Sequence, residues 1–388
     1  VYITFFLYTF FYYCIHKLMQ PATPESLPIR HLDWEALIPA MGRANRAVSE
    51  FSGLLRYLPD ASLLMSPLAM REAVLSSRIE GTTATVTEVF RFEAGEYPAE
   101  KESRRDIEEI VNYRKTLRVA ERELHKKPFC LNLLLTLHEN LMTSVRGQNK
   151  APGQFRRVQN YIGRHGLSIE HADFIPPSPP VMLSAMGEWE KYYHHEDKDA
   201  IVQLAIIHAQ FEFLHPFLDG NGRLGRILVP LFLFNKGILS TPTFYLSEYL
   251  EDHREEYVGH LRELSRTKEA WTQWCLFFLE AVTTQAHWNV DRVKRILHLH
   301  QKLRDRMFDL TNSRFALVLL DAMFAQPIFQ ADALHSRKDM PTRAMVLRLL
   351  GKLVEDGTLK LLVERSGRRP AVYSLHELVR LCESRPRK

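Results

Sequence analysis

The chain is poor in cysteine: Cys14, Cys130, Cys275 and Cys382 are scattered over 388 residues. None forms a CxxC pair, which speaks against a zinc ribbon and a disulfide framework and points to a reducing, cytoplasmic setting. Excess charge of one sign is also lacking. Against 51 Lys+Arg stand 46 Asp+Glu, and the net +5 is spread along the chain, so charge alone does not argue for nucleic acid. There is no internal repeat and no low-complexity block. A membrane-spanning run is missing too. The aromatic leader VYITFFLYTFFYYCIHKL falls short of the ~20 apolar residues that a spanning helix needs, and it has neither a basic n-region nor a small-residue cleavage site. Residues 1–18 are read first as an upstream extension with Met19 as the natural start, then as a membrane-surface anchor, and last as a structural segment. No integral membrane partner is expected. What remains is a globular composition, 46% hydrophobic and 25% charged, long enough for two or three domains.

Most of the chain reads as helix. From Asp33, an N-cap residue type, apolar positions recur at Leu37, Met41, Ala44, Val48, Phe51 and Leu55 with helical spacing, and Pro39 is tolerated near the start. Further helices are expected at Pro67–Glu80, stopped by Gly81, at Val86–Phe90, at Arg105–Leu124 and at Leu131–Val145. The glycines, β-formers and proline run of APGQFRRVQNYIGRHGLSIEHADFIPPSPP predict a β-hairpin flap and then a rigid extended piece. Helices resume at Val181–His194, Ile201–Phe213, Arg223–Asn235, Ser247–Leu264 and Glu269–Asp309. The end changes character. Helices at Ser313–Gln326, Phe329–His335 and Thr342–Asp356 precede strands at Thr358–Val363 and Ala371–Leu375, joined by the basic turn ERSGRRP. That order is a winged helix-turn-helix pattern. The expected fold class is mainly α, a helical core with a β-hairpin flap plus a small C-terminal winged helix. The expected divisions are 1–18 (leader), 19–125 (N-terminal helical region), 126–285 (catalytic core), 286–309 (helical linker) and 310–388 (winged helix).

The stretch from His215 to Arg226, HPFLDGNGRLGR, carries the chemistry. It joins two apolar helices, so a glycine-rich loop opens onto a helix N-terminus, where unclaimed N–H groups and the helix dipole favour an anion. Gly220 and Gly222 permit close backbone approach. Arg223 and Arg226, one turn apart, can reach the same anion, and two guanidiniums suit a polyphosphate better than a single carboxylate. Asp219, an acid inside a positive loop, fits a hard cation beside phosphates, usually Mg²⁺. His215 can exchange a proton near neutral pH. Together these point to phosphoryl or nucleotidyl transfer.

This stretch matches every fixed position of the Fic family pattern H-x-F-x-[DE]-G-N-G-R-x-x-R, and the layout resembles that family from about Leu32 to the end. The resemblance implies a protein adenylyltransferase that moves AMP from ATP to a Ser, Thr or Tyr hydroxyl of a target protein, or of itself, and releases pyrophosphate. On that basis His215 is the general base, Phe217 anchors the loop, and Asp219 holds Mg²⁺ between the α and β phosphates. Gly220, Asn221 and Gly222 form the anion hole, and Arg223 and Arg226 bind the β and γ phosphates, with Leu224 and Gly225 in the same ATP-binding stretch. GQFRRVQNYIG resembles the target-docking flap. LSEYLEDHREEY resembles the base-binding helix and offers Asp252 and Tyr257 as base contacts. Upstream, Ser76-Ser77-Arg78-Ile79-Glu80-Gly81 resembles the inhibitory motif [ST]-x-x-x-E-[GN]. Ser76 and Glu80 lie one turn apart, and Glu80 is expected to pair with Arg226 in place of the γ-phosphate. Fic cores often dimerise, so a homodimer is a further expectation.

A rival reading starts from the other end of the chain. Arg343, Arg348 and Lys352, the wing residues Arg365, Arg368 and Arg369, and the tail RPRK could meet DNA phosphates through residues 310–388. The protein would then be a DNA-binding regulator with a nucleotide-sensing core. De-AMPylation, or transfer of another phosphate-containing group, is a third reading. The intact His215, Asp219, Asn221 and Arg226 favour the enzyme, because a pure sensor has no need of a base.

Overall fold

The computed structural model describes residues 20–58, 61–143, 149–163, 169–367 and 370–384. The leader, the flap residues 164–168, Arg368, Arg369 and the basic tail lie outside the described residues. The N-terminal region is formed by α1 (Trp34–Arg56), α2 (Ala61–Ile79), α3 (Val86–Glu93) and α4 (Lys101–Leu124). Asp33 caps α1 by accepting the Ala36 N–H at 3.1 Å. Thr85 and Glu88 close a capping box on α3. Helix α2 starts earlier than Pro67 and runs through it. Burial of Leu64 and Met65 outweighs the roughly 3 kcal/mol that an interior proline costs a helix.

The centre consists of α5 (Leu131–Leu141), α6 (Pro179–His194), α7 (Ala200–Leu214), α8 (Asn221–Asn235), α9 (Ser247–Asp252), α10 (Arg254–Glu263) and α11 (Ala270–Thr311). Helix α7 is buried on every side from Ile201 to Leu214, as its nearly uninterrupted apolar sequence requires. Two of its polar side chains are tied to backbone carbonyls: Gln203 Nε2 donates to the Tyr192 and His195 carbonyls, and Gln210 Nε2 donates to Glu25 O. The helix expected over Ser247–Leu264 is two helices. The backbone breaks at His253 (φ −115°, ψ 34°), whose ring stacks on Tyr249 at 4.0 Å. The 42 residues of α11 run unbroken past the expected boundary at 285/286, so the segment 286–309 continues a core helix. Its length of about 63 Å lets it pack along α1 at one end and meet the C-terminal elements at the other. Asn312, in the left-handed region at φ 45°, ends it.

The C-terminal unit comprises α12 (Ala316–Ala325), β1 (Ile328–Gln330), α13 (Ala331–His335), α14 (Arg343–Glu355), β2 (Lys360–Val363), β3 (Val372–Ser374) and α15 (His376–Glu383). Its antiparallel sheet has the order β1-β3-β2. The expected helix at Phe329 therefore begins only at Ala331, because Ile328–Gln330 pair with β3, a long-range partner that local pattern does not reveal. The expected hairpin flap is a single antiparallel bridge, Ile162 to Phe174, among the described residues. No helix among them is long and apolar enough to cross a membrane, and Cys130, Cys275 and Cys382 are free thiols.

Candidate active site

Helix α7 stops at His215 for two local reasons: Pro216 cannot continue it, and His215 adopts φ 45°, ψ 59° with its N–H on Phe211 O at 3.0 Å. A left-handed histidine is strained and needs support. Arg156 supplies it. This buried guanidinium donates from Nε to His215 O at 2.9 Å and from Nη2 to the Leu214 and Pro177 carbonyls. The His215 Nδ1 lies 3.3 Å from Glu212 O. A carbonyl only accepts, so Nδ1 carries the proton and Nε2 keeps its lone pair. Burial pushes the imidazole pKa down to about 4, so the ring is neutral at physiological pH.

The following loop is built from inside. Phe217 is fully buried and stacks on His138 with ring centroids 3.8 Å apart. His138 accepts the Gly153 N–H at Nδ1 and donates from Nε2 to Asp219 O, each at 3.0 Å. Burial holds its pKa down to about 4, so it stays neutral. Asn221 and Phe217 exchange two hydrogen bonds, at 2.8 and 2.9 Å, so the Asn221 side chain shapes the loop and does not face an anion. Gly220 sits at φ 78°, and a Cβ there would come within 2.9 Å of Met142 Sδ. Gly220→Ala is expected to lower stability by about 1–2 kcal/mol, read as a lower midpoint in urea unfolding.

The first intrahelical bond of α8 is Leu224 N–H to Gly220 O at 3.0 Å, which leaves the amides of residues 221–223 without a helical acceptor. That mouth opens into a cavity of about 370 Å³. His215, Gly222, Arg226 and Glu212 line it from the core, and Ile79 and Glu80 from α2. Ile162, Gly163, Asp173 and Phe174 form the flap side, and Arg254, Tyr257, Val258, Leu261 and Arg262 of α10 the remainder. Arg262 reaches Asp173 across the cavity at 3.0 Å.

Arg226 is the hub. Its Nε donates to Ser76 Oγ at 2.8 Å, and its Nη2 donates to Ser76 O at 2.9 Å and to Glu80 Oε1 at 2.5 Å. Burial works against the charge of Glu80, but Arg226, with Arg223 behind it, holds its carboxyl below the usual carboxylate value. The Glu80 carboxylate lies against Gly222, where a Cβ would collide with it. An internal anion thus occupies the helix mouth. Gly81 turns the chain away at φ 105°, and Arg254 Nε donates to Ile79 O, the last carbonyl of α2, at 3.1 Å.

Several expected residues stand elsewhere. Arg223 is turned from the cavity, with its Nη1 on Glu109 Oε2 at 3.0 Å and its Nη2 at 3.4 Å from Asp219 Oδ1, because the Glu109 carboxylate of α4 draws it. Leu224 is fully buried in the core. Gly225 receives the Glu212 carboxyl where a Cβ would stand, and its carbonyl accepts from His208 Nδ1 at 3.2 Å. Asp252 closes α9 and does not line the cavity, whereas Tyr257 does. The Tyr257 hydroxyl donates to His208 Nε2 at 2.9 Å. In the C-terminal unit, Arg343 is taken by Asp332 at 2.7 Å. Sequence reasoning missed Arg156, His138, Glu109, Glu212 and Arg254. Glu212 carried a signal, being an acid in an otherwise apolar run three residues before His215. Burial pushes its pKa up to about 8, so it is largely protonated at neutral pH.

The fold agrees with the family comparison. The description Fic/DOC family N-terminal matches residues 38–122, and the description Fic/DOC family matches residues 128–233, which hold the whole His215–Arg226 stretch. The chain thus carries a Fic/DOC family N-terminal region followed by a Fic/DOC family region. A solved Fic family protein from Desulfovibrio desulfuricans G20 is similar with a TM-score of 0.56 and 21% identity, covering 92% of this chain and 98% of that one. Fic-1 from C. elegans is similar with a TM-score of 0.52 and 21% identity, covering 68% and 74%. In sequence, the chain is 33% identical over 132 residues to a probable protein adenylyltransferase of Aquifex aeolicus, 34% of this chain and 35% of that protein. It is 26% identical over 163 residues to protein adenylyltransferase Fic of Drosophila grimshawi, 41% and 32% respectively. The match thus spans about a third of the length of these curated relatives.

Proposed function

We propose that this protein transfers AMP from ATP to a hydroxyl side chain of a target protein, and of itself, under the restraint of Glu80. The observation that carries the reading is the joint placement of a neutral His215 and the Arg226–Glu80 pair on one cavity at the mouth of α8. His215 Nε2 takes the proton of the target hydroxyl, whose oxygen attacks the α-phosphorus. The bond to the bridging oxygen of the β-phosphate breaks, and pyrophosphate leaves. Positioning and charge neutralisation supply most of the acceleration. The amides of residues 221–223 and Arg226 are the anion donors. Arg223, held by Glu109, must turn to join them. Ile79, Ile162, Phe174, Val258 and Leu261 make an apolar wall suited to the base.

Asp219 fits Mg²⁺. Its side chain is 42% exposed at the helix mouth, with Oδ1 receiving the Gly220 N–H at 2.6 Å. No group of three or more metal-ligating side chains gathers among the described residues, but Mg²⁺ held with substrate phosphates takes only one or two carboxylates. When bound, the ion would neutralise charge on the phosphates. Glu80 occupies the place of the ATP γ-phosphate, so autoinhibition acts within the chain. The C-terminal unit, read as a winged helix, recruits the target or a partner.

The test is incubation with ATP labelled separately at the α and γ positions, then mass spectrometry of labelled protein. Label from the α position alone, with a mass increase of AMP, is the expected outcome. Label from the γ position would overturn AMP transfer.

A further inference from the structure

Apart from Glu72, which accepts from Tyr113 Oη at 3.0 Å and Ser247 Oγ at 2.6 Å, helix α2 has a second arginine-centred hold besides Arg226. Five residues before Ser76, Arg71 enters a separate buried cluster. Its Nη2 lies 2.5 Å from Glu248 Oε1 of α9, and its Nη1 donates at 2.5 Å to Cys382 O in α15. Arg292 of α11 takes the same carboxylate, with Nη1 on Oε2 at 2.8 Å and Nη2 on Oε1 at 3.0 Å, and Nη2 also lies 3.3 Å from Ser384 O. Two guanidiniums share one carboxylate, and all three residues are buried. The surplus positive charge faces the carbonyls at the C-terminal end of α15, where the helix dipole is negative. The neighbouring Glu383 is occupied by Thr87, whose Oγ1 donates to its Oε1 at 2.7 Å. Unseating α15 would leave one carboxylate between two buried arginines, a stranded charge that is costly unless α2 shifts to release it. Arg71 and Glu80 are nine residues apart on one rigid helix and its first following turn, about 14 Å.

We propose that the C-terminal unit is the second hold on the inhibitory helix: α15, seated on Arg71 and Arg292, fixes α2, and its displacement frees Glu80 from Arg226. A partner that prefers the displaced unit then switches transfer on. This rests on the reading of Glu80 as a lock. Arg71 is a positioning residue in it.

The test uses the full chain and self-labelling from α-labelled ATP. Arg71→Met keeps the bulk and removes the surplus charge. It is expected to raise labelling by at least about fivefold, the low end of ordinary coupling between sites, and to add nothing in the Glu80→Gly background. A merely destabilising change would instead lower labelling in both backgrounds. Hydrogen exchange at residues 72–80 is expected to quicken. No rise with Arg71→Met, while Glu80→Gly does raise labelling, overturns the second hold and leaves the lock standing. No rise with Glu80→Gly removes the lock itself. If Arg71→Met fails to fold, Glu383→Ala carries the test, since it loosens α15 from an exposed contact. A smaller rise of the same sign supports the proposal, and no rise overturns it.

Discussion

His215→Ala is expected to abolish transfer of AMP, lowering the rate in the unlocked Glu80→Gly background by at least about a hundredfold, the usual contribution of a general base. Nucleotide affinity should change little, because on the proposed mechanism the imidazole moves a proton and does not hold phosphate. Alanine is poorly suited to φ 45° at this position, so His215→Asn is the better control. Asparagine tolerates the left-handed region and lacks the base. Loss of labelling by both variants, with nucleotide binding retained, ties the effect to proton transfer. Retained labelling in either would remove His215 from that role. The pH profile gives a second reading. Burial depresses the His215 pKa to about 4, so the neutral ring prevails above that value and is lost on acidification. The rate is expected to stay level from about pH 8 to 6 with respect to this group and to fall only further into acid. A drop centred on the ordinary histidine value would show that the ring titrates as an exposed one.

Glu80→Gly is expected to raise self-labelling by about tenfold or more, within the usual range for coupled sites. The argument is steric and electrostatic together. Glu80 stands over Gly222 and neutralises Arg226, so its removal empties the helix mouth and frees the guanidinium for phosphate. The same change strands a buried Arg226 whose side chain is 1% exposed, which is destabilising until an anion returns. The variant should therefore melt lower than the parent without nucleotide and gain more from saturating ATP. A parent and variant that respond equally to ATP in a melting series would argue against competition between Glu80 and phosphate. Glu80→Gln, which keeps the bulk and drops the charge, should fall between the two in labelling.

The motif residues were legible because they obey local rules. His215 before Pro216 ends one helix, Gly220 begins the next, and Gly81 turns the chain after α2, each through backbone preferences carried by neighbouring residues. Helix positions were legible for the same reason, through apolar spacing. The misplacements arose where a distant partner prevailed. Ile328–Gln330 extend because β3 pairs with them. Pro67 lies inside α2 because packing there outweighs its missing donor. Arg156 lay in the expected flap, but nothing in GQFRR says that its guanidinium would fasten the carbonyl of His215, 59 residues away.

From sequence alone came the order of histidine, aspartate, glycines and arginines over twelve residues, and with it the expectation of an anion held at a helix mouth. The tertiary structure decided which arginine lines that mouth. Arg223 and Arg226 are equivalent in spacing and type, yet one meets Glu109, 114 residues upstream, and the other meets Ser76 and Glu80, 150 and 146 residues upstream. A guanidinium on a long side chain points where its carboxylate lies, and only folding brings those carboxylates near.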